Sequence, residues 1–165
     1  MLYICRSFFI LLFKHLTFVG QRACHRTALE LCKRLLCVDP EGDPLCATLM
    51  IDFYAIKAGE YEWLVQLYKF WEYSKNLAQL PNFAYSVALA YYLMSTNEDK
   101  DKSTAQSETK PDEDYFEKSN SLLQYALLMF PSVLLPLLDK CSVQCDSRAK
   151  NHAFFNYEAQ NRFEL

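Results

Sequence analysis

Cysteine and histidine are the side chains in this sequence whose spacing could support chemistry, since both bind zinc and both serve in nucleophilic catalysis. They form two groups: Cys24, His25, Cys32 and Cys37 in the first, and Cys141, Cys145 and His152 in the second. A zinc site needs two close pairs that reach one tetrahedron, and the second group supplies only one such pair. The first group points to different faces of a predicted helix. The sequence therefore predicts packing cysteines and no metal site, with zinc binding as the alternative.

Thiolate catalysis and phosphate binding are not indicated either. Cys24 and His25 are adjacent in sequence, and adjacent side chains on a helix do not face each other. The three glycines, at positions 20, 42 and 59, are too far apart to form a phosphate-binding loop. We therefore predict that the chain is not an enzyme and requires no cofactor and no small-molecule substrate.

The cysteine count also bears on the redox compartment. Cys24, Cys32 and Cys46 occupy apolar helical positions, where a free cysteine packs as a small hydrophobic side chain. Seven cysteines is an odd number, which does not suggest a disulfide framework. We expect reduced, buried cysteines in a reducing compartment.

Cations supply the first candidates for partner binding. Arg22, Arg26 and Lys33 are spaced at i, i+4 and i+11, which places them on one stripe of a predicted helix. Such a stripe could contact the phosphates of a nucleic acid, including those of a ribosome. A solvated face that is balanced by Glu30 is the alternative.

Aromatic side chains supply the second set of candidates. Leu64, Tyr68 and Trp71 have the spacing of core residues on one predicted helix. Trp63 and Phe70, at i and i+7, share a different stripe and could anchor a partner. If the helix packs on two sides, both stripes are internal instead.

Composition limits the fold and its partners. Hydrophobic residues make up 52% of the 165 residues, which suffices for one domain with a substantial core. Three glycines are too few for a turn-rich β architecture, so an all-α fold is predicted. The formal net charge of −3 gives no general attraction to polyanions. Because no recognisable DNA-binding motif is present either, direct DNA binding is not expected.

Apolar spacing and turn residues predict the helices. They cover residues 6–19, 22–38, 44–57 and 60–73, a stretch that begins at Pro81, and residues 115–129 and 132–141. Gly20 and Gly59 are expected to end the first and third helices, and Asp43 to cap the third. Residues 97–114 are too polar to offset their ordering entropy, which predicts a disordered insertion. Residues 142–165 are expected to form a weakly ordered tail.

Recurring helix endings indicate a repeat. A small residue, apolar residues four and seven positions later, and a proline stop occur in 28–40 and again in 119–131. Residues 59–68 are typical of the turn and second helix of a tetratricopeptide hairpin. Such a hairpin cannot bury both apolar faces alone and stacks on its neighbours. We predict a tetratricopeptide-like, right-handed α-solenoid of about three hairpins over residues 6–141.

The N-terminal apolar run superficially imitates a signal peptide. Its length is about seven residues, Lys14 and His15 interrupt it, and no small-residue cleavage site follows. The run is also shorter than the roughly twenty apolar residues that span a bilayer. We predict a buried amphipathic helix and no membrane association, with secretion as the alternative.

Several segments resemble a known family: residues 8–15, 26–33, 43–46, 76–84 and 130–138. The most specific strings are Leu80-Pro81-Asn82-Phe83 and Phe130-Pro131-Ser132-Val133-Leu134-Leu135-Pro136-Leu137-Leu138. Over roughly residues 6–155 the chain resembles the transcription factor twenty-five family, also called nuclear localized protein one. Fungal members of that family are the first subunit of the ribosome quality control complex.

The resemblance implies a non-enzymatic factor on the large ribosomal subunit. It would work with a listerin-type RING ubiquitin ligase, and with ubiquitin, to mark stalled nascent chains for degradation. The location implied is cytoplasmic, with a nuclear pool in addition. The family's older label of transcriptional repressor gives the alternative. Family members are longer than this chain, which resembles their middle region, and we expect it to act as a scaffold that orients partners.

Overall fold

The computed structural model describes residues 2–101, 112–152 and 154, and every secondary-structure element in these ranges is helical. The α-helices are α1 (Leu2–Gln21), α2 (His25–Val38), α3 (Thr48–Ala58), α4 (Tyr61–Lys75), α5 (Pro81–Asp101), α6 (Asp112–Met129), α7 (Leu134–Lys140) and α8 (Ser147–Asn151). Short 3-10 helices at Leu77–Gln79 and Pro131–Val133 precede α5 and α7. The prediction of an all-α fold is confirmed.

The core forms where the helices from α1 to α6 each pack against the next, and where α3 also packs against α5. Its largest fully buried side chains include Leu16, Leu29, Ile51, Leu64, Leu77 and Phe83. Ala126 of α6 is also fully buried. Each large apolar side chain contributes about 1.5–3 kcal/mol on burial, so the shared apolar surface holds short helices that would not be stable alone.

A buried carboxylate joins α3 to α5. Asp52 Oδ1 accepts a hydrogen bond from Asn82 Nδ2 at 3.0 Å, and its Oδ2 accepts one from Ser86 Oγ at 2.6 Å. A second polar contact joins α6 to α5, where Ser119 Oγ donates to the carbonyl oxygen of Ala88 at 2.8 Å. Because buried polar groups need partners, these bonds select one register for each helix pair.

Two of the predicted helix ends are confirmed. Gly59 follows α3 with a φ of 77°, a left-handed conformation that favours glycine, and its N–H donates to carbonyl groups of the last turn. Helix α6 ends at Met129, directly before Phe130 and Pro131. Pro131 lacks an N–H group and cannot continue the helix.

The predicted role of Gly20 is wrong. Helix α1 continues through Gly20 to Gln21, so this glycine does not end the helix. A Cβ atom on Gly20 would lie 2.5 Å from the Tyr54 hydroxyl oxygen. Glycine therefore leaves room for the Tyr54 ring against α1, and a larger side chain here would require that ring to shift.

The predicted start of α3 is also wrong by several residues. The helix begins at Thr48, four residues after Pro44. Asp43 nevertheless acts as a cap, since Oδ1 accepts from the Ala47 amide at 2.7 Å and Oδ2 accepts from the Thr48 amide at 2.9 Å. The Thr48 hydroxyl donates to Asp43 Oδ2 at 2.6 Å. Asp43 thus caps α3 from the far side of a turn at residues 44–47, and the sequence pattern did not predict this turn.

The predicted insertion and tail lie partly outside the described residues. Helical backbone extends to Asp101 and resumes at Asp112, so α5 and α6 include both edges of the segment 97–114. Residues 102–111, 153 and 155–165 lie outside the described residues, and the prediction for them stays open. In the described part of the tail, Asp146 accepts a hydrogen bond from the Arg148 amide and begins α8.

Helix α1 buries only part of its apolar surface. Leu16 is fully buried, whereas Leu11 is 70% exposed and Phe8 and Phe18 are about half exposed. Among the described helices, no single one is long and apolar enough to cross a membrane. One pair of described helical segments is long and apolar enough when the two are taken together: Asp114–Met129 and Pro131–Lys140. They meet at a bend of 96°.

The cysteines differ from the predicted pattern. Cys32 is fully buried, and its Sγ donates to the Ala47 carbonyl oxygen at 3.5 Å. Cys24 and Cys46 are exposed, so their predicted burial is wrong. Both precede a helix in turn segments, and Cys46 has a φ of 52°. Burial, with a smaller contribution from nearby carboxylates, raises the pKa of the Cys32 thiol to about 12.

We predict that Ser86→Ala lowers the free energy of unfolding by about 1.5–3 kcal/mol, because it removes one donor from a buried carboxylate. The same change in an Asp52→Ala background should cost much less, since the acceptor is then gone. Urea unfolding of the four proteins in this double-mutant cycle measures the coupling. Ser121→Ala is the matched control, because the Ser121 hydroxyl bonds to a backbone carbonyl on an exposed face. Equal losses in both backgrounds would contradict the proposed contact.

We predict that Cys32 in the folded chain resists alkylation. Raising the thiol pKa from 9.0 to about 12 lowers the thiolate fraction at pH 8 about a thousandfold, and burial also excludes the reagent. Iodoacetamide labelling followed by peptide mass spectrometry should modify the exposed Cys37 first and Cys32 only after unfolding. Equal labelling rates for these two cysteines of α2 would show that Cys32 is not buried in solution.

Candidate partner-binding groove

Helices α2 and α4 both pack against α3 and border an open groove, here called the α2–α4 groove. One wall is formed by Trp63, Leu67 and Trp71, which recur every fourth residue and therefore share a face of α4. The opposite wall and the floor are formed by Lys33, Leu36, Cys37, Pro40 and Ile51. The groove volume is about 230 Å³. Small-molecule sites usually measure roughly 300–1,000 Å³, so the groove fits one or two side chains of a partner better than a cofactor.

A lysine covers each tryptophan of the groove. Lys33 Nζ lies 4.2 Å from the ring centroid of Trp63, and Lys75 Nζ lies 4.7 Å from the ring centroid of Trp71. A cation above an aromatic face is attracted by the ring quadrupole, by about 0.5–1 kcal/mol at exposed sites. The two ammonium groups are thus held at opposite ends of the aromatic wall.

Further hydrogen bonds hold these lysines in place, and their acceptors add no carboxylate to the groove lining. Lys33 Nζ donates to Glu30 Oε1 at 2.7 Å in a surface ion pair, and Lys75 Nζ donates to the Pro40 carbonyl oxygen. The residues that line the groove include Lys33 but no carboxylate. The groove is therefore apolar in its centre and positively charged at its ends.

The structure brings together some of the predicted binding residues. Lys33 and Trp63, predicted for separate stripes on separate helices, form a cation–π pair at one end of the groove. Arg26 of α2 lies outside the groove lining and pairs with Glu60, with Nη2 2.9 Å from Oε1. That ion pair ties the start of α2 to the start of α4.

The other two candidates lie elsewhere. Arg22 does not share a helix stripe with Arg26 and Lys33, because α2 begins at His25 and Ala23 turns the chain with a φ of 61°. The Arg22 guanidinium instead lies 4.1 Å from the ring centroid of Phe18. Phe70 is 78% exposed and does not line the groove. The predicted anchor of Trp63 with Phe70 therefore stays a prediction, and any partner role for Phe70 or Arg22 is separate from the groove.

The sequence predicted a partner role for only two of the residues that line the groove, Lys33 and Trp63. Trp71 was predicted for the core and does pack against it, but it is only partly buried and also lines the groove. Pro40 was predicted only to stop a helix, and Lys75, which donates to the Pro40 carbonyl oxygen, was given no role. The spacing of Trp63, Leu67 and Trp71 was a visible signal, since aromatic residues eight apart on one helix share a face.

Two larger depressions differ from the groove in their charge. One, of about 630 Å³, lies between the start of α1 and the turn after α2, and its lining contains both Arg6 and Asp39. The other, of about 660 Å³, lies between α7 and α8, and its lining contains both Lys150 and Asp139. Each pairs one cation with one carboxylate. The α2–α4 groove is distinguished from both by its two tryptophans and by a lining that contains a lysine but no carboxylate.

The cysteine and histidine groups do not converge. Among the described residues, no three His, Cys, Asp or Glu side chains lie close enough to hold one metal ion. The first group is divided, because Cys32 faces the core whereas Cys24 and Cys37 are exposed. His25 packs edge-to-face against Phe53, with ring centroids 6.0 Å apart.

Comparison with known proteins gives relatives of greater length. The human and mouse proteins named "Ribosome quality control complex subunit TCF25" are 46% and 45% identical to the chain over 155 residues. Each match covers 94% of this chain and 22% of the relative. The Dictyostelium discoideum protein of the same name is 43% identical over 142 residues, which cover 82% of this chain and 19% of the relative. The chain thus spans about a fifth of the length of these relatives.

No solved structure matches the chain. A sequence profile for the family described as "Transcriptional repressor TCF25" matches residues 2–164, nearly the whole chain. The resemblance inferred from the sequence strings is confirmed, and the chain belongs to the TCF25 family.

Proposed function

We propose that this chain is a non-enzymatic scaffold of ribosome-associated quality control. The observation that supports this proposal most directly is the match to relatives named as ribosome quality control complex subunits, at up to 46% identity over 94% of the chain. Their names describe membership of a complex and not a reaction. The match covers all the helices that border the groove, so the groove belongs to the region that the family shares.

The proposed arrangement is a tetratricopeptide-like solenoid. Its hairpins would be α1 with α2, α3 with α4, and α5 with α6, each joined by close helix contacts. Further contacts of α2 with α3, of α4 with α5 and of α3 with α5 are those expected when one hairpin stacks on the next. A rigid stack would contribute to the pathway by orienting partners, which raises the effective concentration of reacting groups without any bond chemistry in the scaffold itself.

The proposed partners are the large ribosomal subunit and a listerin-type RING ubiquitin ligase, with ubiquitin as a further partner. They follow from the family resemblance. The proposed location is the cytoplasm, with a nuclear pool in addition. The α2–α4 groove supports protein binding because it offers tryptophan side chains, which are enriched among residues that dominate binding energy.

Transcriptional repression is the second candidate function, and the description of the matching family as a transcriptional repressor favours it. Under this reading the chain would act through protein contacts. Direct contact with DNA is not favoured, because Arg22 does not continue the cationic stripe of Arg26 and Lys33: α2 begins at His25, and Arg22 lies against Phe18. The net charge of −3 adds no attraction to phosphate.

Affinity capture tests the proposed function. We expect the tagged chain, added to a translation extract with ribosomes stalled on a truncated message, to recover large-subunit proteins and a RING ubiquitin ligase. Recovery should exceed that from an extract translating an intact message. Leu64→Asp is the control for folding, because it places a charge at a fully buried position and should abolish recovery. Recovery of chromatin regulators without ribosomal proteins would favour repression instead.

A further inference from the structure

We infer that the α2–α4 groove binds an extended peptide segment in which one large apolar residue is flanked, two positions away on each side, by acidic residues. This inference rests on the proposed scaffold function in treating the groove as a surface for protein partners. It goes further in naming the chemistry of the partner segment. Three features of the groove support it: its apolar centre, its length and the position of its charges.

The apolar centre selects an apolar side chain. Leu67 lies between Trp63 and Trp71 on the wall from α4, and Leu36 and Ile51 are also part of the lining. A volume of about 230 Å³ admits one large side chain with little else, which matches a single apolar residue in the partner. Such a residue would exclude water from the indole faces and gain the free energy of apolar burial.

The length of the groove sets the spacing of the flanking residues. Trp63 and Trp71 are eight positions apart on a helix that rises 1.5 Å per residue, so about 12 Å separates them along the axis. In an extended chain, residues i and i+4 are about 13 Å apart and their side chains point to the same side. Residue i+2 points the same way and lies midway between them. An extended segment therefore brings residue i+2 over Leu67 when its flanking residues reach the two ends.

The charges at the two ends select acidic flanking residues. Lys33 and Lys75 are held above the two indole rings, and no carboxylate lines the groove. The Glu30 side chain that pairs with Lys33 is 59% exposed, and exposed ion pairs are worth little, so a carboxylate of the partner can replace or share it. An ammonium group has three donors, and both lysines retain donors for such a contact.

Nucleic acid fits the groove less well than protein. Two lysines form a small electrostatic footprint compared with the several cations that contact a phosphate backbone. Arg26 lies outside the groove lining, and Arg22 lies against Phe18 away from the groove. An RNA oligonucleotide is therefore the competing ligand in the fluorescence titration.

The two tryptophans of the chain both line the groove, so intrinsic fluorescence reports its occupancy directly. The probe is the end-capped peptide Ser-Glu-Ser-Phe-Ser-Glu-Ser, titrated into the full chain to millimolar concentration with excitation of tryptophan alone. A matched peptide contains Gln in place of both Glu residues. We expect saturable fluorescence changes with both, and an affinity at least about fivefold higher for the Glu peptide at low salt.

Two matched double variants test whether the groove lysines cause the preference for the Glu peptide. Lys33→Gln with Lys75→Gln should remove the preference for the Glu peptide, while the fluorescence change itself persists because both indoles remain. Lys57→Gln with Lys69→Gln alters the same net charge at exposed positions outside the groove and should keep the preference. Circular dichroism and thermal unfolding confirm that both variants are folded.

Three results would overturn the inference: no saturable change with either peptide, equal affinity for the Glu and Gln peptides, or a preference that survives loss of both groove lysines. Saturable binding of an oligouridylate in place of the peptide would assign the groove to RNA instead. The titration contains no ribosomes, so its failure leaves the capture experiment unaffected. Failure to capture ribosomes would likewise leave a positive titration standing.

Discussion

The packing of the helices depends on a carboxylate buried between α3 and α5. An ionised group that is removed from water costs several kcal/mol unless hydrogen bonds compensate it. Asp52 can therefore be buried only where Asn82 and Ser86 both reach it, which fixes how α5 lies on α3. Helix α5 in turn packs against α4 and α6, and the Ser119 hydroxyl sets the position of α6 by donating to the Ala88 carbonyl. The hydrogen bonds of Asp52 thus orient α5, and α4 and α6 both pack against α5.

The groove is a consequence of this packing. Because α4 packs against α3 and α5, the face that carries Trp63, Leu67 and Trp71 turns towards α2 and is only partly buried. Lys33 and Lys75 lie over the indole rings and shield part of this apolar surface from water. The remaining apolar surface is available for burial by a partner, as the proposed scaffold function requires.

Local signals in the sequence determined most of the secondary structure. Few glycines and a 3.6-residue apolar period gave an all-α fold, and that period also placed Leu64 and Ala126 on buried faces, where the structure has them. Gly59 and Pro131 end helices where predicted. The left-handed backbone of Gly59 and the missing N–H of Pro131 each affect only the adjacent helical turn, so they can be predicted from local sequence. The family could also be recognised from local signals, because short strings of residues were specific enough to identify it.

Tertiary contacts decided the features on which function depends. Gly20 proved to be a close-contact residue because of Tyr54, which lies 34 positions further along the chain. The groove joins Lys33 to Trp63 across two helices, and no pattern within one helix shows that they meet. By itself the sequence determined which stretches form most of the helices and which residues could bind a partner. Only the tertiary structure decided which of these residues lie together, because propensity and capping act over one or two turns whereas burial depends on residues far apart in the chain.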